Sequence, residues 1–345
     1  MKARKYFFIL MSLMATSLYA QNGFTLNDHP NQKKVEVRYD GKLLTAYCYF
    51  DSTEKPVLFP INTLSGVTIT RGYPVSPKAG ERSDHPHHLG LWMNYESVNG
   101  LDFWNNSTAI PLDKKSKYGS IRHQKIMSSK SKKDNASLET LSFWVNIDGQ
   151  VLIEEKTRYE FTKKNNDFII DRIATLEAKV PEVIFKDVKD GMLGLRLARQ
   201  LEQPSNQADK FVDASGNITP VAKMNNEGVR GMYHNQEGLT GDAVWGKRSQ
   251  WACLQGNKDG ETITIQIIDH PKNVGYPTYW HARGYGLFAA NPLGQKVFSE
   301  GKEELNLTLK QDEKKTFHYR VIVHSGSALT AAELNQRAAD FVKNL

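Results

Sequence analysis

Cysteine is nearly absent: Cys48 and Cys253 are the only two in 345 residues. One disulfide or none can form, so a hydrophobic core rather than covalent staples has to hold the chain together. Long apolar runs are missing as well. The longest, Tyr6–Ala15, falls short of the roughly 20 residues needed to cross a hydrocarbon layer of about 30 Å, and no later stretch approaches it. Common catalytic templates are lacking: there is no G-x-S-x-G elbow, no phosphate-binding G-x-x-x-x-G-K-[ST], no H-E-x-x-H, and no G-x-G-x-x-G between a strand and a helix. Neither cysteine lies beside an activating partner, so thiol nucleophilic catalysis is not expected. Blocks of like charge are absent too. Of the net charge of +7, three positive charges (Lys2, Arg4, Lys5) fall in the first 20 residues, which leaves +4 among interspersed signs. Nucleic acid is not an expected partner.

What is present starts at the N-terminus. Basic residues, the apolar Tyr6–Ala15, and then Thr16, Ser17 and Ala20 reproduce the three-part layout of a secretory signal peptide. Residues 1–20 are read as that peptide and residues 21–345 as a single exported domain, periplasmic or secreted. No cysteine follows the apolar core before Cys48, so a lipid anchor has no attachment point and no integral membrane anchor is expected.

Period-two patterning recurs along the rest: Val35, Val37, Tyr39; Val151, Ile153; Leu193, Leu195, Leu197; Ile263, Ile265, Ile267; Leu305, Leu307, Leu309; Phe317, Tyr319, Val321, Val323. These are half-buried strands. Polar turn clusters at residues 163–167, 256–260 and 311–315 favour antiparallel hairpins, while residues 128–134 read as a mobile loop. One helix is indicated, where Thr330 and Glu333 form a capping box ahead of Leu334, Ala338 and Phe341. The fold class is therefore all-β and mostly antiparallel: a large β-sandwich of the extended kind found in sugar-acting proteins, closed by a C-terminal helix.

Chemistry concentrates in two segments. Asp84-His85-Pro86-His87-His88 is followed by Trp92 and by Asp102-Phe103-Trp104. Pro86 favours an extended His85, which would put His85 and His87 on one face and Asp84 and His88 on the other. About 185 residues later Asp269-His270-Pro271 repeats the theme, leading to Tyr279-Trp280-His281-Ala282-Arg283-Gly284-Tyr285. Strand alternation places Tyr279, His281, Arg283 and Tyr285 together, a face suited to hydroxylated or anionic ligands. Imidazoles carry protons or bind transition metals near neutral pH, and carboxylates fix their tautomers. Each histidine can equally be a loop-holding group, and Arg196, opposite Leu193 and Leu195, reads as solvated or cleft-facing. Trp245 and Arg248 form an aromatic and basic cluster to which no role is assigned.

These blocks, together with Asp190-Gly191-Met192, Gly194 and Arg196, Gly284, Gly286 and Asn291-Pro292, resemble the PmoA-like proteins, exported bacterial proteins named after methane oxygenase. A membrane oxygenase activity does not follow, since the mature chain offers no spanning segment. The association of such proteins with carbohydrate-degrading bacteria implies a sugar ligand.

The expected function is an exported enzyme acting on a sugar or sugar derivative by histidine-based acid and base chemistry, as an isomerase, lyase or hydrolase. His87 or His88 and His281 are the candidate acid and base, oriented by Asp84, Asp102 and Asp269. Arg196, Arg283, Tyr279, Tyr285, Trp92 and Trp104 are candidate substrate contacts. A variant of this reading places a divalent metal among His85, His87, His88, His270 and His281. The competing class is a non-catalytic carbohydrate-binding or accessory protein of the envelope, whose aromatics stack on sugar rings.

Overall fold

Alternating burial along each strand, as in Asn135–Val145 where every second side chain is buried, builds sheets that hide one face and need a partner for it. In the computed structural model, which describes residues 22–343, that partner is a second sheet. The front sheet takes eight strands in the spatial order Phe24–His29, Lys34–Tyr39, Lys42–Cys48, Val57–Ile61, Leu91–Tyr95, Gly191–Arg196, Leu287–Asn291 and Tyr279–Arg283. The back sheet takes eight in the order Met232–Asn235, Trp251–Lys258, Glu261–Asp269, Lys314–Gly326, Asp167–Ala178, Val151–Lys164, Asn135–Val145 and Ser120–Ser131. Neighbours in both run antiparallel. The protein is a large, mostly antiparallel β-sandwich.

One apolar core fills the space between the sheets, with Leu193, Leu195, Phe288, Ala290 and Trp280 from the front meeting Phe161, Ile170, Ile265 and Val321 from the back. A second cluster covers the outer face of the back sheet. There the Ala331–Lys343 helix lays Leu334, Ala338 and Phe341 on Ile169, Trp251, Cys253, Ile268 and Ile322. The helix starts on the expected capping box: the Glu333 backbone N–H donates to Thr330 Oγ1 (3.3 Å) and the Thr330 N–H to Glu333 Oε2 (2.8 Å). The third cluster, Cys48, Phe59, Leu89, Trp92, Trp104, Leu287 and Ala289, lies on the outer face of the front sheet, and it carries the polar residues described below.

Several local expectations change. Residues 128–131 complete the long Ser120–Ser131 strand instead of forming a loop, because the paired Asn135–Val145 strand satisfies their backbone. The turn at 311–313 does not close a hairpin: Leu307–Lys310 pairs with Glu182–Phe185, away from Lys314–Gly326. Cys48 and Cys253 are both free and buried, one in each sheet. No helix among the described residues is long and apolar enough to cross a membrane. The segment read as a signal peptide lies outside the described residues.

Candidate functional site

The side chains that line the outer face of the front sheet follow from strand register. Gly194 pairs with Trp92 on one side and Ala289 on the other, and Ala289 pairs with His281. These four therefore form one row pointing away from the core. The indole of Trp92 lies flat over Gly194, so close that a Cβ on residue 194 would stand 2.4 Å from its Cζ2. His88 stacks on Trp92 (5.3 Å) and meets Trp104 edge-on (5.8 Å). Arg196, two residues beyond Gly194, projects from the same face and is fully buried.

The Asp84–His88 segment folds over this platform as a turn, closed by a hydrogen bond from the His88 N–H to the His85 carbonyl (2.9 Å). His85 is not extended as Pro86 would favour. Its φ is +42°, a conformation costly for a side chain of this kind and doubly so before proline. Arg71 holds it there. Buried itself, it donates to the carbonyls of Asp84 (2.8 Å), His85 (2.9 Å) and His88 (3.0 Å).

Asp84 sits at the centre. Its Oδ1 accepts from Arg71 Nη1 (2.5 Å) and Arg196 Nη2 (2.6 Å), and its Oδ2 accepts from His85 Nδ1 (2.6 Å). Burial alone would raise the Asp84 pKa, but Arg196, His85 and Arg71 hold it well below the usual carboxylate range. An ionised carboxylate only accepts, so His85 Nδ1 carries a proton toward Asp84, and the tautomer this fixes for the neutral ring is the one with Nε2 free. The His85 ring lies parallel to Tyr285 (5.1 Å) and His88 (4.8 Å), and Arg196 lies 4.9 Å from the Tyr285 ring centre. Burial pushes the Tyr285 hydroxyl up to about 12, with Arg196 and Arg283 opposing; it remains a donor at neutral pH.

His85, 42% exposed, opens with Asp84 and Tyr285 onto a cleft of about 540 Å³. Gln203, Asp242, Trp245 and Arg283 line it as well. On the same outer face of the front sheet, His88 Nε2, Trp92 Nε1, Arg196 Nε and His281 Nδ1 are buried without a hydrogen-bond partner among the described residues. Unpaired buried N–H and N groups in one place are costly and mark a polar site.

Residues 34–339 match the family described as "Family of unknown function (DUF6807)". The chain belongs to that family. The resemblance to PmoA-like proteins is thereby corrected, since nothing in the match links this DUF6807 chain to a methane oxygenase. No curated protein matches it. Among solved structures, a GH36 α-galactosidase from Geobacillus stearothermophilus aligns at 12% identity with a TM-score of 0.42, over 88% of this chain and 41% of its own. An α-galactosidase from Lactobacillus brevis gives 8%, 0.37, 88% and 39%. A galactose 1-epimerase from Lactobacillus acidophilus gives 11%, 0.37, 88% and 99%. This chain thus spans about two fifths of the length of the galactosidases.

Within the DUF6807 chain the two sequence segments converge only in part. Asp84, His85, Arg283 and Tyr285 line the cleft; His88, Arg196, Trp92, Trp104 and His281 are buried and do not line it. His281 Nδ1 is 3.3 Å from Asp190 Oδ1 but not aligned for a hydrogen bond, and burial pushes its pKa down to about 3. His87 and His88 are likewise shifted well down by burial, which keeps both rings neutral at neutral pH. Asp269 and His270 are elsewhere. Asp269 accepts from Asn273 Nδ2 (2.7 Å) and the Thr278 N–H (2.8 Å), pushed up to about 7 by burial, while His270 stacks on His318 (5.2 Å) near Phe341 of the C-terminal helix. Asp102 orients no histidine; both its oxygens accept from Asn105. Tyr279 donates to Glu303 (3.1 Å) and packs on Phe298 and Arg248, away from the cleft. The five-histidine metal set is corrected on the same ground: packing fixes His270 under the helix, and among the described residues no three His, Cys, Asp or Glu are grouped to hold an ion. Sequence reasoning missed Arg71, Gln203 and Asp242, polar residues in unremarkable contexts, and left Trp245 without a role.

Proposed function

We propose that this protein is an exported enzyme that moves protons on a sugar or sugar derivative, with His85 as the base. The Asp84–His85 pair carries the reading: a carboxylate fixes the tautomer of an exposed imidazole that lines a cleft. The cleft supports a carbohydrate ligand. Trp245 offers an apolar surface for a sugar ring, and Gln203, Gln207 and Asp242 offer planar groups for hydroxyls. In this reading His85 Nε2 accepts a proton from bound sugar, Tyr285 donates to a sugar oxygen, and Arg196 holds Asp84 in place. Export rests on the N-terminal sequence pattern.

The test is incubation with free sugars, keto-sugars and glycosides in deuterated buffer, followed by proton spectra. Wild-type protein should exchange deuterium or form product, and His85→Gln should slow this by about 10²–10⁴-fold, the usual worth of a positioned acid or base. Binding without exchange, or exchange indifferent to His85→Gln, would overturn the enzymatic reading in favour of a carbohydrate-binding protein.

A further inference from the structure

The charges around the cleft are nearly all paired. Arg71 and Arg196 share Asp84, Arg82 faces Glu202 and Asp209, and Arg199 faces Glu202. Arg283 differs. Among the described residues it makes no ion pair; its exposed guanidinium sits 5.8 Å over the Trp245 ring and lines the cleft. An aromatic face steadies a guanidinium without neutralising it. Tyr285 links this cation to the base, since it lies two residues along the chain and stacks on His85 at 5.1 Å. The one other cleft carboxylate not held by an arginine, Asp242, accepts from Gln203 Nε2 (2.8 Å) on one oxygen and leaves the second for a hydroxyl.

We infer that the cleft takes a sugar whose ring carries a carboxylate, of the uronic-acid class, with that carboxylate on Arg283. The fork of a guanidinium matches both carboxylate oxygens. The position of reaction then rests on the reading of His85 given above. Held by Arg283, the ligand turns the ring carbon next to its carboxylate toward the His85 side of the cleft. His85 Nε2 takes the proton from that carbon, and the C–H electron pair passes into the carboxylate to give an enediolate. The added negative charge faces Arg283, which is what makes an ionised acid a feasible carbon acid. Return of the proton from His85 to the same carbon closes the cycle without any oxidant or reductant, and exchange of that proton with solvent while it is on His85 is what labels the carbon.

Calorimetry with the methyl glycosides of glucuronate and galacturonate, beside those of glucose and galactose, tests the ligand class. The acids should bind about 10–100-fold more tightly, the worth of a charge-assisted hydrogen-bonded pair. Arg283→Met should erase that preference and Arg283→Lys should keep part of it, while the unfolding temperatures of both variants certify folding. Deuterium should enter the acids at the carbon beside the carboxylate. Equal affinity for acids and neutral sugars would overturn the inference, and His85-dependent exchange on neutral sugars would then leave the proton-transfer reading standing. A carboxylate preference lost in Arg283→Met, without exchange on any sugar, supports the ligand class and removes the catalytic reading alone.

Discussion

Asp84 ties three functions to two oxygen atoms, since it neutralises Arg71 and Arg196 and orients His85. Asp84→Asn should therefore lower turnover by about 10²–10⁴-fold, through loss of the oriented tautomer. It should also cost about 3 kcal/mol of stability, because two buried guanidiniums lose their counter-charge. Steady-state kinetics and urea unfolding would check the pair of effects; a stability loss with unchanged kcat would refute the orienting role. This centre was half legible. The run of Asp84, His85 and His88 stands out in the sequence, whereas the expected strand face of Tyr279, His281, Arg283 and Tyr285 breaks up, because the strand ends at Arg283 and Tyr285 reaches the cleft from the turn that follows. The repeated Asp269-His270-Pro271 was misleading, because three shared residue types say nothing about which sheet a strand joins. Arg71 was invisible, since its one side-chain partner, Asp84, lies 13 residues away and the rest are backbone carbonyls that any sequence possesses.

At the scale of elements, the Gly191–Arg196 strand serves both faces of the front sheet: leucines inward, Gly194 and Arg196 outward. Alternation made the strand and its facing readable, but not the burial of Arg196, which depends on a turn folding over it. Gly194 permits the Trp92 indole to lie flat. Gly194→Ala should push that ring off the sheet, destabilise by about 1–3 kcal/mol as overpacked cores do, and lower activity by disturbing the His88 stack. Tryptophan fluorescence alongside kinetics would show both, and an unchanged spectrum would refute the close fit. On the far side of the molecule, Thr330→Ala should cost about 1 kcal/mol by removing the helix cap, readable in thermal unfolding, with activity unaffected.

Over the whole molecule, hydrophobic periodicity was enough to give a sandwich with a closing helix, because two-residue alternation fixes which sheet faces must be covered. It could not give the strand order, where Gly191–Arg196 sits between Leu91–Tyr95 and Leu287–Asn291 and so brings late strands into the sheet of the first hundred residues. The buried histidines then set the response to acid. His281 and His318 are pushed down to about 3 by burial, whereas unfolded histidine titrates near 6.5. The unfolded chain binds protons more readily between those values, so each ring removes about 1.4 kcal/mol of stability per pH unit as pH falls below 6.5. Asp269, pushed up to about 7 from an ordinary 3.8, acts in the opposite sense: its contribution is present in acid and is lost as pH rises through 7. His123, pushed down to about 4, and His87, His88, His234 and His270 shift in the same direction as the two rings, while Glu96, Asp102, Asp171, Asp187 and Glu202 are raised like Asp269. With the histidines prevailing, because their ordinary pKa of about 6.5 lies at the top of this range, the protein should lose stability between pH 6.5 and 5. His318→Phe, which keeps the packing against Phe341, should reduce that loss by about 1.4 kcal/mol per pH unit in urea titrations. Parallel curves for the two proteins would contradict it.

The grip of Arg71 on the Asp84–His88 turn reaches beyond this one chain. The conspicuous motif does not hold its own shape: an unfavourable backbone angle at His85 persists only because an arginine 13 positions upstream of Asp84 clasps three carbonyls. Spelling and shape are therefore separable. A relative with Asp-His-Pro-His-His and another residue in place of Arg71 would possess the letters without the turn, so the arginine, and not the histidines, is the position by which to sort members of this family into those that share this arrangement and those that do not.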